Sequence, residues 1–259
     1  MWHVDFNDIS CTALRLLPVE RPEIPAPEYD IEEVTIAGRD GTLHIDNRRY
    51  KQIEIPIEFN YIGEERKWAQ TWRAAKKWLS ARDVPLTLQD DPDCYYHVYY
   101  VKLDANKRVT KRIGRFKAAF ICAPYMFLKS GNLERKQEFE PVCLSTARGE
   151  PILDASGTRL FSTCMSKTLV NAMDTCHPLY RVVGNGICSF SINGNWMHAD
   201  VKGELIIDTE LQAAYRQDGV KMNQKVTGDY TKLYLLPGQN ELMTGSEFDF
   251  YITPRWRAL

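Results

Sequence analysis

The run "DDPD" and the histidine that follows it are the residues of this sequence best suited to acid and base chemistry. Asp90 and Asp91 open the run, and His97 lies six residues after Asp91. Carboxylates near an imidazole are the groups that hydrolases use to move protons. The spacing does not match a calcium-binding loop, and Asp-Pro commonly opens a turn. A solvated turn is the preferred interpretation, and a hydrolase site assembled from these three residues is kept as a rival hypothesis.

A second charged pair, Arg39 and Asp40, is flanked by Gly38 and Gly41. Glycine adopts positive φ without strain, so the pattern is typical of a tight turn between two strands whose charges stay in water. No acid, base or nucleophile accompanies the pair, and we assign it no catalytic role.

The sequence carries no motif typical of a metal or cofactor site. The histidines are scattered, without the His-x-x-x-His or Cys/His spacing of a zinc site, at His3, His44, His97, His177 and His198. The sequence has no phosphate loop, no dinucleotide-binding glycine pattern and no Gly-x-Ser-x-Gly elbow. It therefore predicts no catalytic, cofactor-binding or metal-binding residues, no cofactor, and a protein that is not an enzyme.

A basic segment from Lys102 to Lys117 could contact phosphates. The whole chain carries 33 Lys and Arg against 34 Asp and Glu, a formal net charge of -1, so no overall field recruits a polyanion. A solvated hairpin tip, or a patch that meets an acidic neighbour, is preferred over nucleic-acid recognition.

One segment, "EERKWAQTWRAAKKWLSARD", is predicted to form an α-helix. Large residues recur at helical spacing at Trp68, Trp72, Ala75 and Leu79, with Trp78 beside them. Such a stripe indicates a helix packed on a sheet rather than a platform for stacking bases or sugars.

Most other segments predict strands. In "YKQIEIPIEF", Ile53, Ile55, Ile57 and Phe59 alternate with polar residues, and Pro56 favours a position at a sheet edge. Residues 18–29 carry four prolines and predict an extended arm, and "DANKRVTKRIG" predicts a hairpin loop. Short β runs separated by turns such as "GNG" and "NGN" follow residue 150 and indicate a sandwich or barrel. We place the domain junction in the irregular stretch 130–150, between residues 135 and 136.

Seven cysteines without a Cys-x-x-Cys pair indicate reduced thiols. The start "MWHVDFNDIS" lacks the pattern of a signal peptide, and "FKAAFICAPYMFL" is too short and broken to span a bilayer. We expect a soluble protein of intracellular origin.

The order of these segments resembles that of the distal tail (Dit) proteins of long-tailed siphovirus bacteriophages and prophages. The resemblance lies in "GRDGTL...YKQIEIPIEF", a Trp-bearing helix ending "KKWLSARD", "LTLQDDPDCYYHVYYV" and "GRFKAAFICAPY". In the second half it lies in "GELIIDTELQAAYRQDG", "YLLPGQNEL" and "FYITPRWRAL". It covers nearly the whole chain.

The resemblance implies a mainly β fold. Residues 1–135 would form a β-sandwich-like domain with one α-helix, six copies of which close a ring, and residues 136–259 a galectin-like β-sandwich. The ring, single or stacked on a second one, would be a structural part of the virion tail tip or baseplate. It would join the major tail tube protein to the tail-associated fibre or lysin protein and dock receptor-binding proteins. DNA would pass through the lumen without specific binding, no membrane would be involved, and the protein would be made in the bacterial host cytoplasm.

Candidate ring contacts are the Pro-rich arm at 18–29, the hairpin from Gly38 to Tyr50 and the basic loop from Lys107 to Arg115. The alternative is a carbohydrate-binding adhesin acting through the C-terminal sandwich. Galectin-type sites use His-x-Asn-x-Arg and Trp-x-x-Glu-x-Arg, whereas this chain has "HPLYR" and "NWMHADVK". Sugar recognition is therefore not expected, and Trp196 is expected in packing or a protein contact.

Overall fold

The computed structural model describes residues 2–62, 68–245 and 248–259. The start of the predicted helical segment, residues 64–67, lies outside the described residues. The chain forms two compact units: the first extends to Leu128 and includes Ala258 and Leu259, and the second spans Lys129–Arg257. Each unit has its own cluster of buried apolar side chains.

The first unit contains ten strands and the one α-helix found among the described residues. They are β1 (Val4–Phe6), β2 (Ile9–Ser10), β3 (Leu16–Pro18), β4 (Tyr29–Thr35), β5 (Thr42–Tyr50), β6 (Ile53–Ile62), α1 (Trp68–Leu79), β7 (Val84–Leu88), β8 (Asp91–Leu103), β9 (Lys107–Arg108) and β10 (Ile113–Leu128). Its main sheet has the order β2-β1-β7-β8-β10-β6-β3, with β9 also on β10.

Strand β6 shows the predicted period of two. Ile53, Ile55, Ile57 and Phe59 are buried, because they face the core of the unit. Pro56 pairs with β10 on one side, and on the other side β3 reaches only Phe59–Tyr61. The proline therefore lies where the sheet edge is open, as its missing N–H predicts.

Helix α1 packs on this sheet as predicted. The indole of Trp78 is buried and its Nε1 donates to the carbonyl oxygen of Phe6 at 2.9 Å. The ring of Trp72 contacts Phe116 with centroids 4.9 Å apart. The side chain of Trp68 lies outside the described residues. The tryptophan stripe is thus part of the core, which confirms the interpretation made from its spacing.

The second unit is built from strands β11 to β19. They are β11 (Arg135–Lys136), β12 (Glu140–Cys143), β13 (Phe161–Asn171), β14 (Leu179–Ile192), β15 (Asn195–Asp208), β16 (Ala213–Tyr215), β17 (Val226–Thr227), β18 (Gly238–Thr244) and β19 (Asp249–Thr253); β20 (Arg257–Ala258) ends the chain. The main order is β11-β19-β14-β18-β13-β12, and β15 pairs with β14, β16 and β17.

Strands β14 and β15 form a long hairpin that curls the second sheet. Its turn is Asn193-Gly194, and both residues have positive φ, as this two-residue turn requires. The first part of β14 pairs with β19 and its last part with β18, so the strand crosses from one neighbour to the other. The curled sheet encloses Tyr180, Phe190 and Phe250. The mainly β fold class predicted from the sequence is confirmed.

All seven cysteines are free thiols. Burial raises the pKa of the Cys122 thiol to about 12, so this sulfur stays protonated inside the first core. Within the described residues, no helix is both long and apolar enough to cross a bilayer.

Candidate assembly surfaces

Strands β4 and β5 form a hairpin that is separate from both main sheets. Val34 pairs directly with Leu43, and residues paired across two strands share a face. Ile45, two residues after Leu43, lies on the same side, together with Glu32, which pairs with Ile45. We call Val34, Leu43 and Ile45 the apolar hairpin face. The opposite face carries Ile31 and a polar group in which His44 contacts Thr42 and Glu33.

The apolar hairpin face is open to solvent in the single chain. The exposed fraction is 37% for Leu43 and 42% for Ile45. A two-stranded hairpin is marginally stable in water unless its apolar side packs on another surface. The hairpin therefore has the form of an arm whose apolar side is open for packing. Its turn contains Gly38 and Gly41 at φ of 79° and 80°, which confirms the turn predicted around Arg39 and Asp40.

The base of the hairpin is fixed to the first unit. The Tyr50 hydroxyl donates to that of Tyr29 at 2.9 Å, and the Tyr50 ring meets Tyr125 of β10 edge-on at a centroid distance of 6.1 Å. Arg49 Nε donates to Asp30 Oδ2 at 2.6 Å, and this hydrogen bond lowers the pKa of Asp30. These contacts at its base hold the hairpin in a defined direction.

The Pro-rich arm, residues 18–29, lies partly on its own unit. The Val19 N–H donates to the Glu58 carbonyl oxygen at 2.8 Å, and Arg21 Nε lies 3.0 Å from Asp90 Oδ2. Residues 19–28 have no helix or strand, in agreement with the non-helical arm or loop predicted from the prolines. The arm leads directly into β4, so its anchored start also supports the hairpin.

The basic loop from Lys107 to Arg115 is a hairpin tip, as predicted. Strand β9 pairs with β10 through Arg108 opposite Gly114 and Lys107 opposite Arg115. Arg108 donates to the carbonyl oxygens of Thr110 and Lys111, at 3.2 and 2.8 Å. Part of the basic charge therefore shapes the loop itself, and the tip remains exposed.

The rival hydrolase residues do not come together. Asp90 accepts a hydrogen bond from Trp2 Nε1 at 2.9 Å and pairs with Arg21. Asp91 and His97 lie six residues apart on the extended strand β8, about 20 Å along it. His97 instead has Nε2 3.6 Å from an oxygen of Asp83. The residues that the structure describes also contain no group of three His, Cys, Asp or Glu side chains able to hold a metal ion.

Trp196 lies on the outer side of β15, with 42% of its surface exposed, so it is not a core residue. Its ring is nearly parallel to that of His198, with an interplanar angle of 9° and centroids 6.4 Å apart. His198 Nδ1 lies 2.8 Å from Ser189 Oγ. His177 of "HPLYR" is partly buried under Tyr234 and does not join this surface. Trp196 therefore remains a candidate contact for a partner or ligand.

Comparison with known proteins shows which solved structures have a similar fold. No known protein family matches the sequence, and no curated protein matches it. Among solved structures, the Dit protein (gp 19.1) of SPP1 is similar over 97% of this chain and 97% of that chain, with a TM-score of 0.63 and 13% sequence identity. That protein is described as a paradigm of the hub adsorption apparatus in Gram-positive infecting phages. The chain described here therefore has the fold of a phage Dit protein.

Proposed function

We propose that this protein is a non-enzymatic structural hub of a phage tail tip. It forms a hexameric ring that joins the tail tube to the tail-associated fibre or lysin protein and docks host-adsorption proteins. The observation that carries the proposal is the likeness to SPP1 Dit, which extends over 97% of both chains. A likeness of that extent includes both compact units.

Ring closure requires a heterologous contact, in which one patch of each copy meets a different patch of the next. The apolar hairpin face supports this proposal best, because it is exposed, apolar and held at a fixed base. The Pro-rich arm is partly occupied by its own unit, and in the basic loop the exposed Val109 and Ile113 lie among several cations. We therefore rank the hairpin first as the ring contact.

The proposal is tested by imaging and mass. Negative-stain electron microscopy should show six-fold rings with a central hole, and light scattering should give about six times 29.9 kDa, or twice that for stacked rings. Immunogold labelling of purified virions should place the protein at the tail tip. A protein that stays monomeric both alone and with its tail-tube and fibre partners would contradict the proposal.

The carbohydrate-binding alternative is favoured by one observation, the exposed and nearly parallel pair of Trp196 and His198. Aromatic side chains of this kind can stack on the apolar face of a sugar. A glycan array with the wild-type protein tests it. Saturable binding that is lost in Trp196→Ala and kept after removal of residues 1–135 would support an adhesin. Absence of binding would leave Trp196 as a candidate protein contact.

A further inference from the structure

The second unit contains a slot between two strand edges of its curled sheet. The slot has a volume of about 270 Å³. One side is lined by β11, the first strand of the order, and the other by the part of β13 that extends beyond its neighbour β12, whose pairing reaches only Ser166. Its apolar walls come from Leu169, Leu235, Ile252, Pro254 and Trp256. We call it the seam slot, because the curl of the sheet brings these two strand edges together here.

Two cations flank the seam slot, one from each of these two strands. Arg135 of β11 is directly opposite Ile252, and Lys167 of β13 is directly opposite Leu242. Ile252 and Leu242 both belong to the buried core. Since paired residues share a face, both cationic side chains lie on the core-facing side of the sheet at its open margin.

Neither Arg135 nor Lys167 forms an ion pair with a carboxylate of the described residues, in contrast to the other cations nearby. Lys136 Nζ lies 2.6 Å from Asp249, and Arg181 holds both Glu134 and Glu204. An inward charge can protect a sheet edge from unwanted pairing. Edge protection does not account for two cations beside the same slot. Together they place unpaired positive charge next to a surface that suits an apolar group, so the slot fits a ligand with one apolar and one anionic group.

The wall formed by Trp256 is held in place by the backbone. The Arg255 N–H donates to the Gly131 carbonyl oxygen at 2.8 Å. A Cβ atom at Gly131 would lie 2.3 Å from the Trp256 nitrogen, so the two chain segments touch directly. The slot is therefore largely formed before any ligand binds.

We propose that the seam slot binds an extended acidic segment of a docking protein. The backbone of the segment pairs with β11, which has a partner strand on one side only, β19. One apolar side chain of the segment enters the slot, and the carboxylate two residues along, on the same face of the extended segment, lies between Arg135 and Lys167. A volume of about 270 Å³ is below the usual range for whole small-molecule ligands and suits one or two side chains. The identity of the partner as a docking protein rests on the proposed hub function.

Fluorescence anisotropy with labelled peptides tests the slot on the full-length protein. The probes are pentapeptides TXTET, in which X and the glutamate share one face of an extended segment, with X being Leu, Ile, Phe or Trp, and the matched set TXTQT. At least one glutamate peptide should bind about tenfold more tightly than its glutamine counterpart, because a charge-assisted hydrogen bond is lost in the latter. Arg135→Gln and Lys167→Gln should each weaken binding about tenfold. Lys136→Gln, with the same charge change on the same strand but on the opposite face, should leave binding within about twofold.

Three results would overturn the proposed peptide site. The first is no binding by any peptide at about 1 mM, and the second is equal binding of the glutamate and glutamine peptides. The third is displacement of the peptide by polyphosphate, with polyphosphate itself bound more tightly than the peptide. The last result would identify a polyanion site instead. Ring formation is followed by light scattering in the same samples. Rings without peptide binding would overturn the slot alone. Peptide binding by a protein that stays monomeric even after its tail-tube and fibre partners are added would overturn the hub alone.

Discussion

Val34 and Leu43 are directly opposed across β4 and β5, and they form the centre of the apolar hairpin face. Glutamate in place of Leu43 would place a charge in the contact that we propose closes the ring. Burying an unpaired carboxylate costs several kcal/mol, so Leu43→Glu should be monomeric at concentrations where the wild type forms rings. Thr42→Glu carries the same charge on the polar face and should still assemble. Rings formed equally well by both variants would show that the hairpin does not close them. Light scattering and negative-stain microscopy give the answer.

The elements that the sequence predicted well are those with a local cause. The alternation in β6, the helical stripe around Trp72 and the glycine-flanked turn at Gly38 each depend on residues a few positions apart. Val34 and Leu43 also alternate with polar residues, but alternation alone does not tell whether the apolar side is covered by the same chain or by another. That information depends on the tertiary fold.

The seam slot could not be predicted from the sequence, because it depends on the geometry of the curled sheet. Arg135 and Lys167 are 32 positions apart, and only the curl of the sheet places their strands on opposite sides of one slot. The rival hydrolase site does not form for the opposite reason, because Asp91 and His97 are close in sequence but far apart along β8. Neighbours in sequence separate by about 3.3 Å per residue on an extended strand. The Pro-rich arm was correctly predicted as extended, but its contact with Asp90 depends on two distant segments.

Gly114 and Tyr61 form a close pair in the first unit. They are opposite each other on β10 and β6, and a Cβ atom at Gly114 would lie 2.3 Å from the Tyr61 ring. Gly114→Ala should displace the ring from its hydrogen bonds with Asn106 and destabilise the unit by about 1–3 kcal/mol. Urea unfolding measures this change in free energy.

A double-mutant cycle separates the clash at Gly114 from other effects of the added methyl group. In a Tyr61→Ala background the ring is absent, so Gly114→Ala should change stability by less than about 0.5 kcal/mol. An equal loss of stability in both backgrounds would rule out the ring as the cause. Gly245→Ala is a further control, because a Cβ atom there has nothing within 4 Å.

Arg255 neutralises a buried carboxylate in the second unit. Its Nη1 and Nη2 donate to the two oxygens of Asp208 at 2.8 and 2.9 Å, and the Asp208 side chain is 1% exposed. Arg255→Met leaves that carboxylate without its partner and should destabilise the unit by about 3–5 kcal/mol in urea unfolding. Lys232→Met removes an exposed pair with Asp229 and should cost less than about 1 kcal/mol. Similar losses in both variants would contradict the role of burial.

The Arg255–Asp208 pair also makes the stability of the second unit depend on pH. Burial alone would raise the pKa of Asp208, but the hydrogen bonds and charge of Arg255 outweigh it, and the net pKa is lowered. Stability from this group is therefore present above its ordinary value of 3.8 and is lost as the pH falls through the folded pKa. In Arg255→Met, burial should raise the pKa of Asp208, so the carboxyl group should take up its proton at a higher pH. A titration of Asp208 by carboxyl-carbon NMR that gave the same midpoint in wild type and variant would contradict this assignment.

The surroundings of His177 predict a second effect of pH on stability, at a higher pH than the effect of Asp208. Its Nε2 accepts from Arg257 Nη2 at 3.0 Å, and its ring stacks on Tyr234 with centroids 4.0 Å apart. Burial, followed by the charges of Arg257 and Arg255, lowers the pKa of His177 to about 4. The unfolded chain takes up this proton near its ordinary value of 6.5, whereas the folded chain resists until about 4. Stability should therefore fall as the pH drops from 6.5 to 4 and stay level above 6.5 as far as this group is concerned.

His177→Gln keeps a polar side chain that does not titrate, so the difference in unfolding free energy between wild type and variant isolates the His177 proton. That difference should shrink as the pH is lowered from 7.5 to 4.5, because only the wild type loses stability through this group. Proton NMR of the imidazole Cε1–H should give a midpoint near 4 in the folded protein. A midpoint near 6.5, or a free-energy difference that does not change with pH, would show that the ring is more accessible to water than its contacts with Arg257 and Tyr234 imply.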